Sequence, residues 1–138
     1  MNVLPKVAII CANYNYGDYI LPAIESIVNQ TYEGPLKLYV VDDGSSDDSW
    51  DKLCEWKATR WKDIKFIRSN CSLDRTNLHL DVQFERISNS GASVARNTAI
   101  EMCWDWADII GVLDADDAYH PEKVEKLVAK LVAHEEIG

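Results

Sequence analysis

The sequence predicts an α/β domain in which a mostly parallel central sheet lies between two layers of helices. Three observations lead there. Val7–Ala12 is apolar without alternation, as in a strand buried on both faces. Strand-like and helix-like stretches then alternate along the chain, an order that implies parallel strands with helices packed on the sheet. Finally, 138 residues, 47% of them apolar and 27% charged, suffice for one soluble domain with a real core.

The elements follow in order. After the first strand, Asn13-Tyr14-Asn15-Tyr16-Gly17 supplies turn-forming residues. Asp18 is the expected cap of a helix that has Pro22 in its early turns and Ile24, Ile27 and Val28 along it. Gly34-Pro35 closes that unit, and Leu36–Val41 is the second strand, running into Asp42-Asp43-Gly44-Ser45. Ser45 or Ser46 with Asp47 and Asp48 begins the next helix, through Trp50, Leu53, Cys54 and Ala58. Ile64–Ile67 reads as a third strand and the polar stretch Asn70–Asp81 as a loop, whereas Val82–Ile87 alternates as a half-exposed strand does. Gly91 precedes a helix over Ser93–Trp104. Ile109–Leu113 is the last strand and ends in Asp114-Ala115-Asp116-Asp117. His120-Pro121 opens a closing helix with Val124, Leu127, Val128, Leu131 and Val132 at helical spacing.

Composition excludes several functions. Fourteen basic against 23 acidic side chains leave a net charge of −9, which argues against nucleic acid or an anionic membrane as the main partner. No apolar stretch is long enough to span a bilayer and no leader pattern opens the chain, so a soluble cytoplasmic protein is expected. The four cysteines, Cys11, Cys54, Cys71 and Cys103, form no metal-type spacing, and Cys11 and Cys103 read as buried thiols in a reducing compartment. Gly-x-Gly-x-x-Gly, P-loop and nucleophile-elbow motifs are all missing.

In parallel α/β sheets ligands bind beyond the carboxyl ends of the strands. Asn13-Tyr14-Asn15, Asp42-Asp43 and Asp114–Asp117 all fall at such ends and gather on one rim. Like charges about 4 Å apart cost about 4 kcal/mol at an effective dielectric of roughly 20. A bound cation, or hydrogen bonds to the carboxylates, would offset that repulsion. Oxygen ligands with water to spare suit Mg²⁺ or Mn²⁺, completed by the phosphates of a nucleoside diphosphate. Each feature also has a plainer reading. Asp42-Asp43-Gly44 is compatible with a helix-capping turn and Asp114–Asp117 with an acidic surface turn. Tyr14 either stacks on a base or packs under the first helix. Arg96 pairs with phosphate or with an aspartate, and His120 is a helix-start residue or a metal or phosphate contact.

Five segments in this order are together specific: Val7-Ala8-Ile9-Ile10-Cys11-Ala12-Asn13-Tyr14-Asn15, Ser26-Ile27-Val28-Asn29-Gln30-Thr31-Tyr32, Val40-Val41-Asp42-Asp43-Gly44-Ser45-Ser46-Asp47, Gly91-Ala92-Ser93-Val94-Ala95-Arg96-Asn97 and Leu113-Asp114-Ala115-Asp116-Asp117. They closely resemble the nucleotide-binding half of the family 2 glycosyltransferases. The resemblance implies a Rossmann-like, three-layer fold of the GT-A type over residues 1–138, shortened by the usual acceptor-binding half. It implies inverting transfer of a sugar from a metal-bound nucleotide-sugar, commonly a UDP-sugar, to an acceptor that the sequence does not name.

By the family's pattern Ala12, Tyr14, Asp43, Arg96, Asn97, Asp114, Ala115 and Asp116 bind the nucleotide-sugar, with Tyr14 against the base and Asp43 hydrogen-bonded to it. Asp116 or Asp117 holds Mn²⁺ or Mg²⁺. The catalytic base belongs to a segment beyond Gly138, so donor binding without transfer, by a binding module or by a chain that needs a partner, is the alternative. Loss of the second half would expose apolar surface and favour a homo-oligomer.

Overall fold

The computed structural model describes residues 3–64 and 80–134. Its strands are β1 (Val7–Asn13), β2 (Leu36–Asp43), β3 (Leu80–Ile87) and β4 (Ile109–Val112), and its α-helices are α1 (Ile20–Val28), α2 (Ser49–Trp56), α3 (Ala92–Cys103) and α4 (Lys123–Ala133). The four strands form one sheet in the order β3-β2-β1-β4, and every pairing is parallel. Among the described residues no helix is long and apolar enough to cross a membrane.

The unbroken apolar character of β1 has a simple cause. Val7, Ile9 and Cys11 pack with Ile20, Ile24 and Ile27 of α1, with Leu53 and Trp56 of α2 and with Val124 and Val128 of α4. Ala8 and Ile10 join Tyr39 and Val41 of β2 beneath Ala95, Ala99 and Cys103 of α3. Successive side chains leave opposite faces of a strand, so a strand covered on both sides has no polar position. The layers are therefore α1, α2 and α4, then the sheet, then α3.

Several expectations are corrected. Asp18 does not cap α1: its side chain is 91% exposed and 3.8 Å from the Lys52 ammonium. Tyr19 occupies the cap position without a side-chain bond. The turn before α1 is instead fixed from a distance, because the Gly17 N–H donates to Asp47 Oδ2 at 3.0 Å. Of the strand expected at 64–67, residues 65–67 lie outside the described residues, and Ile64 is helical, following a π-helical turn over Lys57–Trp61 that continues α2. The third strand in the sheet is β3. It begins at Leu80, so Leu80 and Asp81 belong to a strand and not to the expected loop, whose remaining residues, 70–79, are outside the described set.

Cys54 is exposed; Leu53, Trp56 and Trp61 turn inward from the same helical path. On α4 only Val124 and Val128 are buried, while Leu127 and Val132 face outward at 48% and 56% exposure. That helix starts at Lys123, two residues past Pro121.

Strands β1 and β2 both run further than the apolar pattern suggests. Their register pairs Asn13 with Asp42, so the ladder continues through polar residues to the carboxyl edge. All four strands point the same way, so the segments after Asn13, Asp43, Ile87 and Val112 meet at that edge.

Candidate functional site

A cleft of about 580 Å³ opens there, lined by Ala12, Asn13, Tyr14, Tyr16, Asp43, Asn89, Gly91, Ala92, Arg96, Asp114, Ala115 and Asp116. Of the residues singled out from sequence, Ala12, Tyr14, Asp43, Arg96, Asp114, Ala115 and Asp116 are thus brought together. Asn97 and Asp117 are exposed and lie off the lining. Asp117 Oδ1 accepts the Ala118 N–H at 2.8 Å, and the Asp117 N–H closes a turn onto the Asp114 carbonyl at 2.9 Å. His120 is also outside the cleft: its Nδ1 accepts the Glu122 N–H at 3.3 Å and its carbonyl accepts from Gln30 Nε2 at 2.8 Å.

The acidic residues fall into two groups with different roles. Asp42 is fully buried and saturated by the protein. Its Oδ1 accepts from Asn13 Nδ2 at 2.9 Å and from the Ser45 hydroxyl at 2.6 Å; its Oδ2 accepts the Ser45 N–H at 3.1 Å. Arg86 stands 3.7 Å away. Asp43, 3% exposed, accepts the Ser90 N–H at 2.7 Å on Oδ1 and the Gly91 N–H at 3.0 Å on Oδ2. Both carboxylates therefore hold loops, and the expected mutual repulsion of five rim carboxylates is relieved at these two by internal donors. Asp47 works similarly at the start of α2. Although burial pushes its pKa up, bonds from the Ser49 hydroxyl and N–H and from the Gly17 N–H outweigh that and hold it below the ordinary aspartate range.

The second group faces outward. Leu113 and Ala115 are buried at 1% and 3%, whereas Asp114 and Asp116 between and beyond them are exposed. Those two apolar residues anchor the backbone, and the turn closed by the Asp117 N–H on the Asp114 carbonyl leaves both carboxylates at the surface. The Leu113 N–H extends the ladder onto the Ile10 carbonyl at 2.9 Å, and the Tyr119 hydroxyl donates to the Val112 carbonyl at 2.5 Å. Burial, and then the neighbouring Cys11, Asp114 and Asp117, push the Tyr119 phenol up to about 12. Cys11 lies under the same floor: burial, and then Asp114, push its thiol up to about 12 as well.

Arg96, from the second turn of α3, stands 3.8 Å from Asp114, both side chains about half exposed. Asp116 has no hydrogen bond or ion pair among the described residues. Within that same set, no three His, Cys, Asp or Glu side chains converge as a metal cluster. Divalent cations of the Mg²⁺ type are commonly held by one or two carboxylates plus substrate phosphates, without an all-protein cage. Two exposed carboxylates lining one cleft fit that donor set.

Sequence reasoning put Asn13 on the rim and Gly91 and Ala92 in a family segment without giving them a role, and singled out neither Tyr16 nor Asn89 for the cleft. Tyr16 carried a visible signal, standing two residues from Tyr14, and both rings are exposed at 42% and 45%. Asn89 carried none, since the Asp43 carbonyl draws it in from 46 residues away, and Gly91, though it opens a family segment, is held by the Asp43 carboxylate from 48 residues away. Gly91, at φ +100°, and Gly44, at φ +65°, adopt backbone that other residues rarely tolerate.

A parallel sheet whose carboxyl edge presents exposed aromatic rings, backbone-anchored carboxylates, an arginine and an exposed acidic pair defines an α/β unit with its candidate site at the strand ends. The profile of the family described as Glycosyl transferase family 2 matches residues 8–76 and 78–138, and the chain belongs to that family. It is 34% identical over 122 residues to the chondroitin synthase of Escherichia coli, covering 88% of this chain and 15% of that protein.

Two solved structures share the fold. Staphylococcus aureus TarS 1-349 in complex with UDP gives a TM-score of 0.68 at 21% identity, over 94% of this chain and 33% of that one. The mannosyltransferase PcManGT from Pyrobaculum calidifontis, in complex with GDP-Man and Mn²⁺, gives 0.62 at 25% identity, over 86% and 29%. The GT-A-type architecture implied by the sequence is the one observed. The chain spans less than half the length of these curated relatives, with shares from 15% to 41%.

Proposed function

We propose that this chain binds a nucleotide-sugar, a UDP-sugar, together with Mn²⁺ or Mg²⁺, and that the protein to which it contributes transfers the sugar to an acceptor with inversion at the anomeric carbon. The observation that supports the reading most is the convergence of Tyr14, Asp43, Arg96, Asp114 and Asp116 on one cleft at the carboxyl ends of β1, β2 and β4. Tyr14 offers a half-exposed planar ring for the base, with Asp43 as an acceptor beside it. Each Asp43 oxygen receives one backbone N–H and keeps capacity for a further donor.

Asp114 and Asp116 would hold the cation, which offsets charge on a departing diphosphate. Arg96 is placed to trade its distant pairing with Asp114 for a phosphate oxygen, a stronger and charge-assisted partner. The role of Asn97 in the donor pocket is carried from the family's pattern alone, as is a metal contact from Asp117.

The supporting mutation is Asp116→Ala. Asp116 is exposed and has no partner among the described residues, so the melting temperature should be unchanged. Paramagnetic resonance of Mn²⁺ should show an ion immobilised by the chain plus UDP, and free in the variant. Equal immobilisation in both would remove the proposed metal site.

A further inference from the structure

We infer that Gln30, which is not part of the cleft lining, is a positioning residue for the cation: it fixes the far end of the loop that presents Asp114 and Asp116. This deepens the metal-binding reading and rests on it. Gln30 follows α1 and is 4% exposed. Its Nε2 donates to the Ser26 carbonyl at 3.0 Å and to the His120 carbonyl at 2.8 Å, while its Oε1 accepts the Val124 N–H at 3.0 Å. Turning the amide over would set its oxygen against two carbonyls and its NH₂ against an N–H, so the orientation is fixed by chemistry.

These bonds close one end of a span whose other end is the sheet. At the sheet, the Leu113 N–H donates to the Ile10 carbonyl and the Tyr119 hydroxyl to the Val112 carbonyl. At the α1 end, the Tyr119 N–H donates to the Ser26 hydroxyl at 3.1 Å and the Thr31 N–H to the Pro121 carbonyl at 2.9 Å. Gln30 bridges the Pro121 corner from His120 to Val124. It also does the work of a helix cap, since Glu122 holds the cap position of α4 without a side-chain bond and Gln30 takes the Val124 N–H from 94 residues away. Asp114 and Asp116 are exposed and lie between the two ends, so their placement follows that of the ends. An apolar side chain at position 30 would fill the space and release the far end. Ligand geometry must be held to within about 0.5 Å, and removing a group that orients metal ligands without touching the metal costs roughly 10–100-fold in metal affinity.

The test is a Mn²⁺ titration of the 138-residue chain in excess UDP, read by paramagnetic resonance well below the melting temperature, for the unmutated chain, Gln30→Met and Gln30→Glu. Met fills the same space without hydrogen bonds. Glu keeps an acceptor for Val124 and loses the donor to His120, and it serves should the Met variant not fold. The Mn²⁺ dissociation constant should rise about tenfold in either variant. An unchanged constant in a variant whose melting temperature has fallen would overturn the assignment and leave Gln30 as a clip between α1 and α4, while the metal site itself would stand.

A measurement on the unmutated chain gives an independent answer. An ion that needs the loop in place must, by linkage, stabilise what holds the loop. Hydrogen exchange at the Val124 amide should therefore slow on adding Mg²⁺ with UDP by more than exchange at the Leu53 amide in α2; equal slowing at both would count against the inference. No immobilisation of Mn²⁺ by the unmutated chain with UDP would sink the metal-binding reading and this inference together.

Discussion

Replacing Asp43 by asparagine separates a carboxylate that builds the site from one that merely sits in it. Asp43 receives the N–H groups of Ser90 and Gly91 at 2.7 and 3.0 Å, one on each oxygen, and is 3% exposed. Asparagine keeps one acceptor and points an NH₂ group at the other backbone N–H, donor against donor. Hydrogen bonds to charged groups contribute roughly 1.5–3 kcal/mol each, and neutral ones about half that. Loss of one and weakening of the other come to about 3 kcal/mol. The Ser90–Gly91 turn is exposed, so water can partly replace the lost acceptor and the net is about 2 kcal/mol. For a chain of this length that lowers the melting temperature by roughly 6–8 °C. The assay is thermal unfolding followed by far-ultraviolet circular dichroism, without nucleotide or metal. If Asp43 were only one of several repelling rim charges on a chain of net charge −9, removing it would raise stability. An unchanged or higher melting temperature for Asp43→Asn would refute the anchoring role.

Other outcomes follow from the same geometry. Glu25 accepts from Arg60 at 2.9 and 3.2 Å and from Trp56 Nε1 at 3.0 Å; burial raises its pKa, but these bonds outweigh it and hold the group below the ordinary 4.5. Its contribution is therefore present above that value and fades as pH falls through the lower folded value, so urea midpoints of Glu25→Gln and the unmutated chain should differ at pH 7 and converge in acid. A gap independent of pH would contradict this. Cys11, pushed up to about 12 by burial, and the buried Cys103 should resist iodoacetamide at pH 8 while the exposed Cys54 reacts; peptide mass spectrometry reads this directly, and equal labelling would argue against the packing. Gly44 has φ +65°, and a Cβ there would lie 2.7 Å from the Asn89 nitrogen. Gly44→Ala should cost more than about 1 kcal/mol in chemical denaturation, and a neutral result would contradict the loop geometry.

Legibility in the sequence followed the range of the forces involved. The strands β1 and β2 and the face of α4 carrying Val124 and Val128 were readable because burial imposes a period within a few residues. The acidic pair was readable too, since Leu113 and Ala115 leave a two-residue mark. What failed depended on distant partners. Asp42-Asp43-Gly44 looks like a turn, yet pairing with Asn13 carries the strand through both aspartates, and donors from Asn13, Ser45, Ser90 and Gly91 satisfy them. Asp18 has the composition of a cap, but the turn before α1 is held by Asp47 instead. Ile64 is apolar and buried at 5% as a helical residue would be, and nothing local distinguished that from a strand. The buried bond from Asn13 to Asp42 is legible only once β1 and β2 are in register.

The central claim is that the cleft at the carboxyl edge receives a metal-bound uridine nucleotide. Calorimetric titration of the 138-residue chain with UDP and with GDP, each in Mn²⁺ and in EDTA, tests it most directly. The account predicts saturable UDP binding that needs the metal, with GDP markedly weaker. Binding of neither nucleotide, or UDP binding that survives EDTA undiminished, would contradict it.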